Sequence, residues 1–200
     1  MKLIIETERL VLREIIETDL PLLHRIYSDP ESMRYYPGTK SFDETVAWFE
    51  MLAFRSYADN GFGLWAIVDK ASGDILGDCG ITLQAGPQGK EKEIGYHLRR
   101  EYLGRGYAFE AALACRNYGF EALGFNRVVS IVSPENVPSQ RVAAKVHQRW
   151  EIYRAVTAAG AEVDRFLFIS ENGAAEVSDA AARIAAVIEQ ATALRVRSRS

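Results

Sequence analysis

The chain has 200 residues, of which 48% are hydrophobic and 26% are charged, and its formal net charge is −3. A chain of this length and composition buries a large fraction of its surface, as ordinary globular proteins do. The negative net charge predicts no general affinity for nucleic acid. Cys79 and Cys115 are too few for a disulfide framework, and their apolar surroundings predict buried thiols.

No apolar segment approaches the ~20 residues that a membrane span needs. The three histidines, at positions 24, 97 and 147, and the two cysteines have no metal-ligand spacing, and no Gly-x-Ser-x-Gly motif is present. We therefore expect a cytoplasmic protein with no metal, no membrane partner and no nucleic-acid partner. Hydrolase and metalloenzyme functions are disfavoured.

The N-terminal part of the chain predicts a strand followed by two helices. Residues 10–16 alternate imperfectly between apolar and polar, and Thr18 or Asp19 then stands as the cap of a helix. Ser41 and Glu44 form a capping-box signature, which predicts the start of the second helix.

Three further strands and a crossover follow. Residues 64–68 and 75–83 read as strands with strong turn residues between them, which predicts a hairpin. A third strand at 94–98 precedes a helix from Ala108, and a β-branched strand follows at 127–133. Short connections predict an antiparallel meander, and the helical crossover makes the last strand parallel to 94–98.

The C-terminal part begins with a helix capped by Asn136, then has strands at 152–157 and 165–169 and an alanine-rich helix from Ser178. His147, where the first of these helices ends, is expected to be exposed, as a lone polar residue there usually is. The last helix needs a partner surface. That surface is either the chain's own sheet or a second subunit, so a homodimer is one prediction.

Two glycines lie between the strand at 94–98 and the helix that follows it. Gly104 and Gly106 allow positive φ and close approach of the backbone to a ligand. The first turn of the helix leaves N–H groups without an intrahelical acceptor, so residues 104–108 and the helix dipole favour an anion such as phosphate. A bare Gly-x-Gly also marks ordinary turns, and the stretch is neither a P-loop nor a dinucleotide-binding turn.

The stretch Leu103-Gly104-Arg105-Gly106-Tyr107-Ala108 resembles the acyl-CoA pyrophosphate loop of the GNAT N-acetyltransferase superfamily. Gly106 and Ala108 match that pattern, whereas Leu103 departs from the usual Gln or Arg. The apolar residue there resembles the RimJ/RimL-type branch of ribosomal-protein-alanine N-acetyltransferases. Residues 7–13, 28–35 and 134–139 are also similar to segments of that branch, and the last is similar to its second cofactor motif.

The resemblance implies a mixed α/β fold of the α+β kind. Its central sheet is mostly antiparallel, helices lie on both faces, and one parallel strand pair splays apart around the pantetheine arm. It implies an acetyltransferase domain over 1–172 and leaves 173–200 as a helical extension with a basic tail. The implied reaction moves the acetyl group of acetyl-CoA, the co-substrate, to a primary amine, either a protein N-terminal α-amine or a small amine, by direct attack in a ternary complex.

The resemblance also implies a set of site residues. Glu93 is the favoured base, since family members often use a carboxylate on this strand, although a solvated or paired strand-end glutamate is the other interpretation. Ala143 stands where some members have a tyrosine that protonates the thiolate, so the thiolate is protonated either by water or by another group, for which Ser139 is a candidate. Asn136 is either a cofactor ligand or only a cap. The implied cofactor-binding residues are Tyr96, Leu98, Arg99, Gly104, Arg105, Gly106, Tyr107, Ala108, Asn136 and Ser139.

One segment departs from the family pattern. Residues 145–148 read Lys-Val-His-Gln, whereas family members usually read Lys-Leu-Gly-Phe. The change alters the end of the helix next to the expected acyl site, and His147 is a candidate replacement group there. A non-catalytic acyl-CoA-binding module, which has lost turnover, is therefore the alternative function.

Overall fold

A computed structural model describes residues 1–157, 160–174 and 179–197 of the chain. The strands are β1 (Leu3–Glu6), β2 (Leu10–Glu14), β3 (Leu64–Asp69), β4 (Ile75–Gly86), β5 (Gly89–Leu98), β6 (Arg127–Val132), β7 (Arg149–Val156) and β8 (Glu162–Glu171). The α-helices are α1 (Leu20–Tyr27), α2 (Phe42–Phe49), α3 (Arg55–Asn60), α4 (Tyr107–Glu121), α5 (Val137–Val146) and α6 (Ala180–Arg197).

The strands follow the order β1-β2-β3-β4-β5-β6-β8-β7 in one sheet. The pairs β1–β2, β2–β3, β3–β4, β6–β8 and β7–β8 are antiparallel, and β5 and β6 are parallel with Glu93 opposite Val129. The predicted mixed, mostly antiparallel sheet with one parallel pair is confirmed. The splay of that pair stays a prediction.

The chain divides into two compact units. The first unit is Met1–Thr82 with Ile94–Gly119, and the second unit is Leu83–Glu93 with Phe120–Ser200. The predicted boundary between residues 172 and 173 stays a prediction.

The core of the first unit lies between its N-terminal helices and β3. Leu23 and Tyr27 of α1, Phe49 of α2 and Ala66 of β3 are fully buried in one cluster. Each large side chain buried in this way stabilises the fold by about 2 kcal/mol. The apolar run that forms β3 therefore also supplies the surface on which the helices pack.

Two local features define the helices that follow α1. Ser41 Oγ accepts from the Glu44 N–H at 3.2 Å, and Glu44 Oε2 accepts from the Ser41 N–H at 2.7 Å, so the predicted capping box is confirmed. Residues Glu50–Phe54 form a π-helical turn between α2 and α3, which the sequence does not predict. Gly61 ends α3 with a φ of +77°, a conformation that favours glycine.

Asp19 precedes α1, but its side chain does not cap the helix. Its carboxylate accepts from both terminal nitrogens of Arg13 at 2.6 and 2.9 Å and from the Ile16 N–H at 2.9 Å. Asp19 is thus the N-cap residue of α1 by position, as predicted, while its carboxylate binds Arg13 in a two-pronged pair, which is the stronger partner for a buried carboxylate.

Small residues of α4 face the interior of the first unit. Ala111, Ala112 and Cys115 are fully buried, and their small side chains form the inner face of the helix. The free thiols of Cys79 and Cys115 are both buried, and their sulfur atoms lie 3.5 Å apart. The prediction of buried thiols is confirmed.

The second unit contains the partner surface that α6 needs. Val187 and Ala191 of α6 are fully buried in one cluster with Ala144 of α5 and with Phe166 and Phe168 of β8. The chain's own second unit therefore covers α6, and a homodimer through this helix stays a prediction. Ser178, the predicted first residue of the helix, lies outside the described residues.

His147 is fully buried, so the prediction that it is exposed is wrong. Its Nδ1 lies 3.0 Å from Ser170 Oγ, and its Nε2 lies 3.0 Å from Ser130 Oγ. Hydroxyl groups on β6 and β8 thus give both ring nitrogens a partner, which makes the burial of a polar ring tolerable. Neither serine is near His147 in sequence, and the sequence pattern could not reveal the pairing.

Candidate active site

The predicted pyrophosphate loop joins β5 to α4 in the first unit. Gly104 and Gly106 have φ values of +75° and +84°, in the left-handed region that the sequence predicts for them. A Cβ atom on Gly104 would meet nothing within 4 Å, and one on Gly106 would lie 3.4 Å from Nη2 of Arg9. Backbone conformation, rather than crowding, is therefore the reason for glycine at both positions.

The start of α4 presents backbone donors. The N–H of Glu110 donates to the carbonyl of Gly106 at 3.1 Å and closes the first turn of the helix. The N–H groups of Tyr107 and Ala108 precede that bond and have no acceptor within α4. The 15 residues of α4 add the positive end of a helix dipole. This combination of groups fits the pyrophosphate of an acyl-CoA.

Arg9 holds this loop from the residue before β2. Its Nη1 donates to the Arg105 carbonyl at 3.0 Å, and its Nε donates to Glu110 Oε2 at 2.6 Å. The guanidinium also lies over the Tyr107 ring, 4.6 Å from the centroid, and the Tyr107 hydroxyl donates to Asp69 Oδ2 at 3.1 Å. In the sequence, Arg9 stands out only as part of the segment 7–13 that is similar to the family branch, which does not predict its role in fixing the loop.

The residues of β5 that lead into the loop also belong to the first unit. Tyr96 is half-buried and Leu98 is buried. The guanidinium of Arg99 donates to the Ile75 carbonyl at 3.0 Å and to Glu101 Oε1 at 2.5 Å. Both terminal nitrogens of Arg99 are thus bonded to the protein, and among the described residues its buried Nε has no acceptor.

The second predicted cofactor motif lies in the second unit. Asn136 Oδ1 accepts from the Ser139 N–H at 3.1 Å, which confirms Asn136 as the cap of α5. The cap uses only the oxygen, and the Nδ2 amide is a separate donor, so capping is compatible with binding a cofactor. Gln140 is fully buried and donates to the carbonyls of Ser133 and Pro134 at 3.0 and 2.9 Å. The sequence pattern does not predict these contacts.

Glu93 is half-buried in the second unit and lies within β5, which runs from Gly89 to Leu98, so its predicted place at the end of the strand is wrong. Its Oε1 accepts from the N–H of Ile131 at 3.2 Å, so a side chain satisfies this amide of β6. Burial, followed by the nearby Glu93 carboxylate, raises the pKa of Tyr153. Glu93 is therefore a paired carboxylate, and its predicted role as a base stays a prediction.

The candidate residues form two sets. Tyr96, Leu98, Arg99 and residues 104–108 are contiguous in the first unit, and Glu93, Asn136 and Ser139 belong to the second unit. The described residues contain no group of three His, Cys, Asp or Glu side chains placed to hold a metal ion. Within the same part of the chain, no helix is both long enough and apolar enough to cross a membrane.

Residues 9–149 match the family model of the GNAT acetyltransferase domain. The chain is 38% identical over 141 residues to the uncharacterized protein YkkB of Bacillus subtilis (strain 168), covering 70% of this chain and 81% of YkkB. It is 33% identical over 138 residues to the uncharacterized N-acetyltransferase p20 of Bacillus licheniformis, covering 66% of this chain and 75% of p20.

Solved structures share the fold. An acetyltransferase from Agrobacterium tumefaciens str. C58 superposes with a TM-score of 0.69 at 28% identity, covering 84% of this chain and 93% of that chain. The ribosomal L7/L12 α-N-protein acetyltransferase RimL, in complex with coenzyme A, superposes with a TM-score of 0.67 at 18% identity, covering 85% and 98%. This second likeness is one of fold, and it is consistent with the predicted RimJ/RimL-type branch. The chain belongs to the GNAT acetyltransferase family and is an acetyl-CoA-dependent N-acetyltransferase.

Proposed function

We propose that this enzyme transfers the acetyl group of acetyl-CoA to a protein N-terminal α-amine or to a small primary amine, by direct attack in a ternary complex. The observation that carries the proposal is the conformation of the loop before α4. Gly104 and Gly106 are both left-handed there, and Arg9 holds the carbonyl of Arg105 between them. A loop fixed in this way is suited to receiving the cofactor pyrophosphate without further ordering.

The proposed cofactor site consists of the residues that the family resemblance implies. The backbone of residues 104–108 receives the pyrophosphate. Tyr96 and Leu98 lie on β5, the strand that borders the pantetheine arm in this proposal, and Arg99 follows the end of that strand. Asn136 and Ser139 bind the arm from the start of α5. The N–H groups of Tyr107 and Ala108, which have no acceptor within α4, and the separate Nδ2 donor of Asn136 support this assignment.

The proposed catalytic groups are Glu93 and Ser139. Glu93 accepts the proton that the acceptor nitrogen loses as the new C–N bond forms, and Ser139 passes a proton to the leaving thiolate. An α-amine with a pKa near ~8 is easier to deprotonate at neutral pH than a lysine amine near ~10.4. That difference favours an α-amine, or a small amine of similar basicity, as the acceptor. A cytoplasmic location belongs to the same proposal.

The cofactor part of the proposal is tested by calorimetric titration with acetyl-CoA, with desulfo-CoA and ADP as controls. ADP reports phosphate binding alone, and desulfo-CoA reports the arm without the thioester. Binding of acetyl-CoA that clearly exceeds ADP supports both parts of the proposed site. Equal binding of acetyl-CoA and ADP would support phosphate binding alone. The absence of binding would contradict the site assignment.

The catalytic part is tested by thiol release at saturating acetyl-CoA, with alanyl peptide amides, spermidine and free amino acids as acceptors. Release with one class of amine identifies the acceptor. Acetyl-CoA binding that persists without release on any amine would favour the alternative, a non-catalytic acyl-CoA-binding module in which the altered residues 145–148 have removed turnover.

A further inference from the structure

A chain of hydrogen bonds in the first unit includes the hydroxyl of Tyr36, a residue at the surface. Asp78 of β4 is fully buried, and its Oδ1 lies 3.0 Å from Nδ1 of His97 on β5. Nε2 of His97 lies 2.7 Å from the hydroxyl of Tyr36, in the loop after α1. Tyr36 is 41% exposed, whereas the His97 side chain is 12% exposed. A buried carboxylate, an imidazole and a surface hydroxyl are therefore joined in one line.

The partners of His97 fix which nitrogen carries the proton. A carboxylate only accepts, so Nδ1 is the N–H donor toward Asp78, and Nε2 is left as the acceptor for the Tyr36 O–H. Tyr27 reinforces this arrangement, since its hydroxyl donates to Asp78 Oδ2 at 3.0 Å and lies 3.1 Å from His97 Nδ1. Burial, followed by the charge of Asp78, raises the pKa of Tyr27 well above its ordinary value, so Tyr27 remains a donor.

The backbone around the imidazole is also fixed. A Cβ atom on Gly77 would lie 2.0 Å from the carbonyl oxygen of His97, so only glycine allows β4 to pass this close to β5 beside Asp78. The Tyr27 ring, fully buried against Phe49, packs on the His97 ring with their centroids 5.2 Å apart. The imidazole is therefore held in position before any substrate arrives.

We propose that Tyr36, His97 and Asp78 form a proton relay that removes the ammonium proton of the acceptor before it attacks the thioester. Tyr36 is the catalytic residue that meets the amine, His97 takes the proton from Tyr36, and Asp78 is a positioning residue that stabilises the imidazolium. The relay rests on the proposed acetyl transfer and adds a step that Glu93 does not supply, because an ammonium has no lone pair with which to attack.

The acceptor ammonium loses two protons in the reaction, and the leaving thiolate gains one. The ammonium N–H proton moves to the Tyr36 oxygen while the Tyr36 hydroxyl proton moves to His97 Nε2, which leaves a neutral amine and an imidazolium. The amine nitrogen then forms a bond to the thioester carbon, and the C–S bond breaks. The nitrogen loses its second proton to Glu93, and the thiolate takes one proton from Ser139, whose hydroxyl is restored through water by the proton that Glu93 holds. The imidazolium releases its proton to solvent. The net reaction releases one proton for each amide formed.

The titratable groups that face the His97 ring come from three elements: Tyr27 from α1, Tyr36 from the loop after it and Asp78 from β4. Within the described residues, no other charged side chain forms a hydrogen bond or ion pair with the ring. The relay should therefore show its effect only where the acceptor is an ammonium, and it should matter little once the solution pH has already deprotonated the amine.

The test measures kcat/KM with an alanyl peptide amide at saturating acetyl-CoA, for His97→Asn, Tyr36→Phe and the double variant. An asparagine amide keeps a donor toward Asp78 but cannot take up a proton. We expect each single variant to lose roughly 100-fold at about pH 6.5 and less than about 10-fold at about pH 9, where the α-amine is mostly neutral. The double variant should lose no more than a single one, because both residues serve one relay.

His24→Asn is the matched control, since His24 lies on α1 in the same unit and contacts Thr45 rather than the relay. This variant should leave kcat/KM unchanged at both pH values. Losses that are equal at the two pH values, or that add in the double variant, would overturn the relay and leave a structural cluster. A pH-dependent loss that appears in Glu93→Gln instead of these variants would also overturn the relay.

A second measurement separates this inference from the proposed function. Ring ¹⁵N shifts of His97 should report the Nδ1–H tautomer in the wild type and a mixture of tautomers in Asp78→Asn. A predominant Nε2–H tautomer in the wild type would overturn the relay, whatever the turnover. Absence of thiol release on every amine, with acetyl-CoA still bound, would overturn both the acetyl transfer and the relay. A pH-dependent loss of kcat/KM that is confined to the His97 and Tyr36 variants supports the relay and does not bear on the acetyl transfer itself.

Discussion

Arg9 and Glu110, 101 residues apart in the chain, bind each other through two donors of the arginine. The Arg9 backbone N–H donates to Oε1 at 2.9 Å, and Nε donates to Oε2 at 2.6 Å. Thr7 donates its hydroxyl to the same Oε1 at 2.6 Å. The start of β2 is thereby fixed to the first turn of α4, beside the loop that we propose for the pyrophosphate.

The first prediction concerns this pair. Burial tends to raise the pKa of Glu110, but the hydrogen bonds from Thr7 and Arg9 outweigh it and hold that pKa below its usual value. The pair therefore contributes stability above the unfolded carboxyl pKa near ~4.3, and this contribution is lost as the pH falls through the lower folded value. Because Arg9 is 42% exposed, solvent screens the pair, and its contribution is about 1 kcal/mol.

Glu110→Gln should accordingly lower the free energy of unfolding at neutral pH and have a smaller effect at about pH 3, as measured by urea titration at both pH values. Acetyl-CoA should bind several-fold more weakly, because the loop loses its fixed position. Glu50→Gln, which breaks an exposed pair with Arg55, is the control and should change neither quantity. An equal loss of stability at both pH values would contradict the electrostatic explanation.

A second prediction concerns Gly106. Gly106→Glu places a carboxylate beside the proposed pyrophosphate and strains a backbone with a φ of +84°, so acetyl-CoA binding should be lost in calorimetry. Gly124 follows the other end of α4 and also has a positive φ, +66°. Gly124→Glu therefore introduces the same charge with comparable strain and should bind acetyl-CoA normally once folded. Unchanged affinity in Gly106→Glu would contradict the site assignment.

A third prediction separates the two proton acceptors. Glu93→Gln keeps an oxygen that can accept from the Ile131 N–H but removes the base, so the fold should persist. Since the nitrogen must lose its second proton at every pH, turnover should fall roughly 100-fold at both about pH 6.5 and about pH 9. This pattern differs from the pH-dependent loss expected of His97→Asn.

Glu91→Gln is the matched control for Glu93, because Glu91 lies on the same strand and pairs with Arg127 at 3.3 Å. It should lower stability and leave the turnover of the folded enzyme unchanged. Normal turnover in Glu93→Gln would remove the base role and leave Glu93 as a strand-pairing residue.

A fourth prediction concerns the buried imidazole of His147. His147→Ala leaves a cavity and two buried hydroxyl groups, on Ser130 and Ser170, without this partner, which should cost about 3 kcal/mol of unfolding free energy. Because the proposed cofactor contacts of α5 lie at its other end, the folded variant should bind acetyl-CoA with near-normal affinity. Weak binding at normal stability would instead support His147 as a functional replacement.

The sequence by itself determined the elements whose causes are local. The capping box at Ser41 and Glu44 and the cap at Asn136 depend on residues within one helical turn, and the positive φ of Gly104 and Gly106 follows from their place between a strand and a helix. Because these causes are local, the residues of the candidate loop could also be predicted from the sequence.

Only the tertiary structure decided which distant side chains meet. The carboxylate of Asp19 pairs with Arg13 rather than with an N–H group of α1, and His147 is buried because two strands supply hydroxyls to it. His97 is one of three scattered histidines in the sequence, and only the close passage of β4 beside β5 places it against Asp78. Such contacts depend on strand register and chain reversal, whereas periodicity and capping patterns report only on near neighbours.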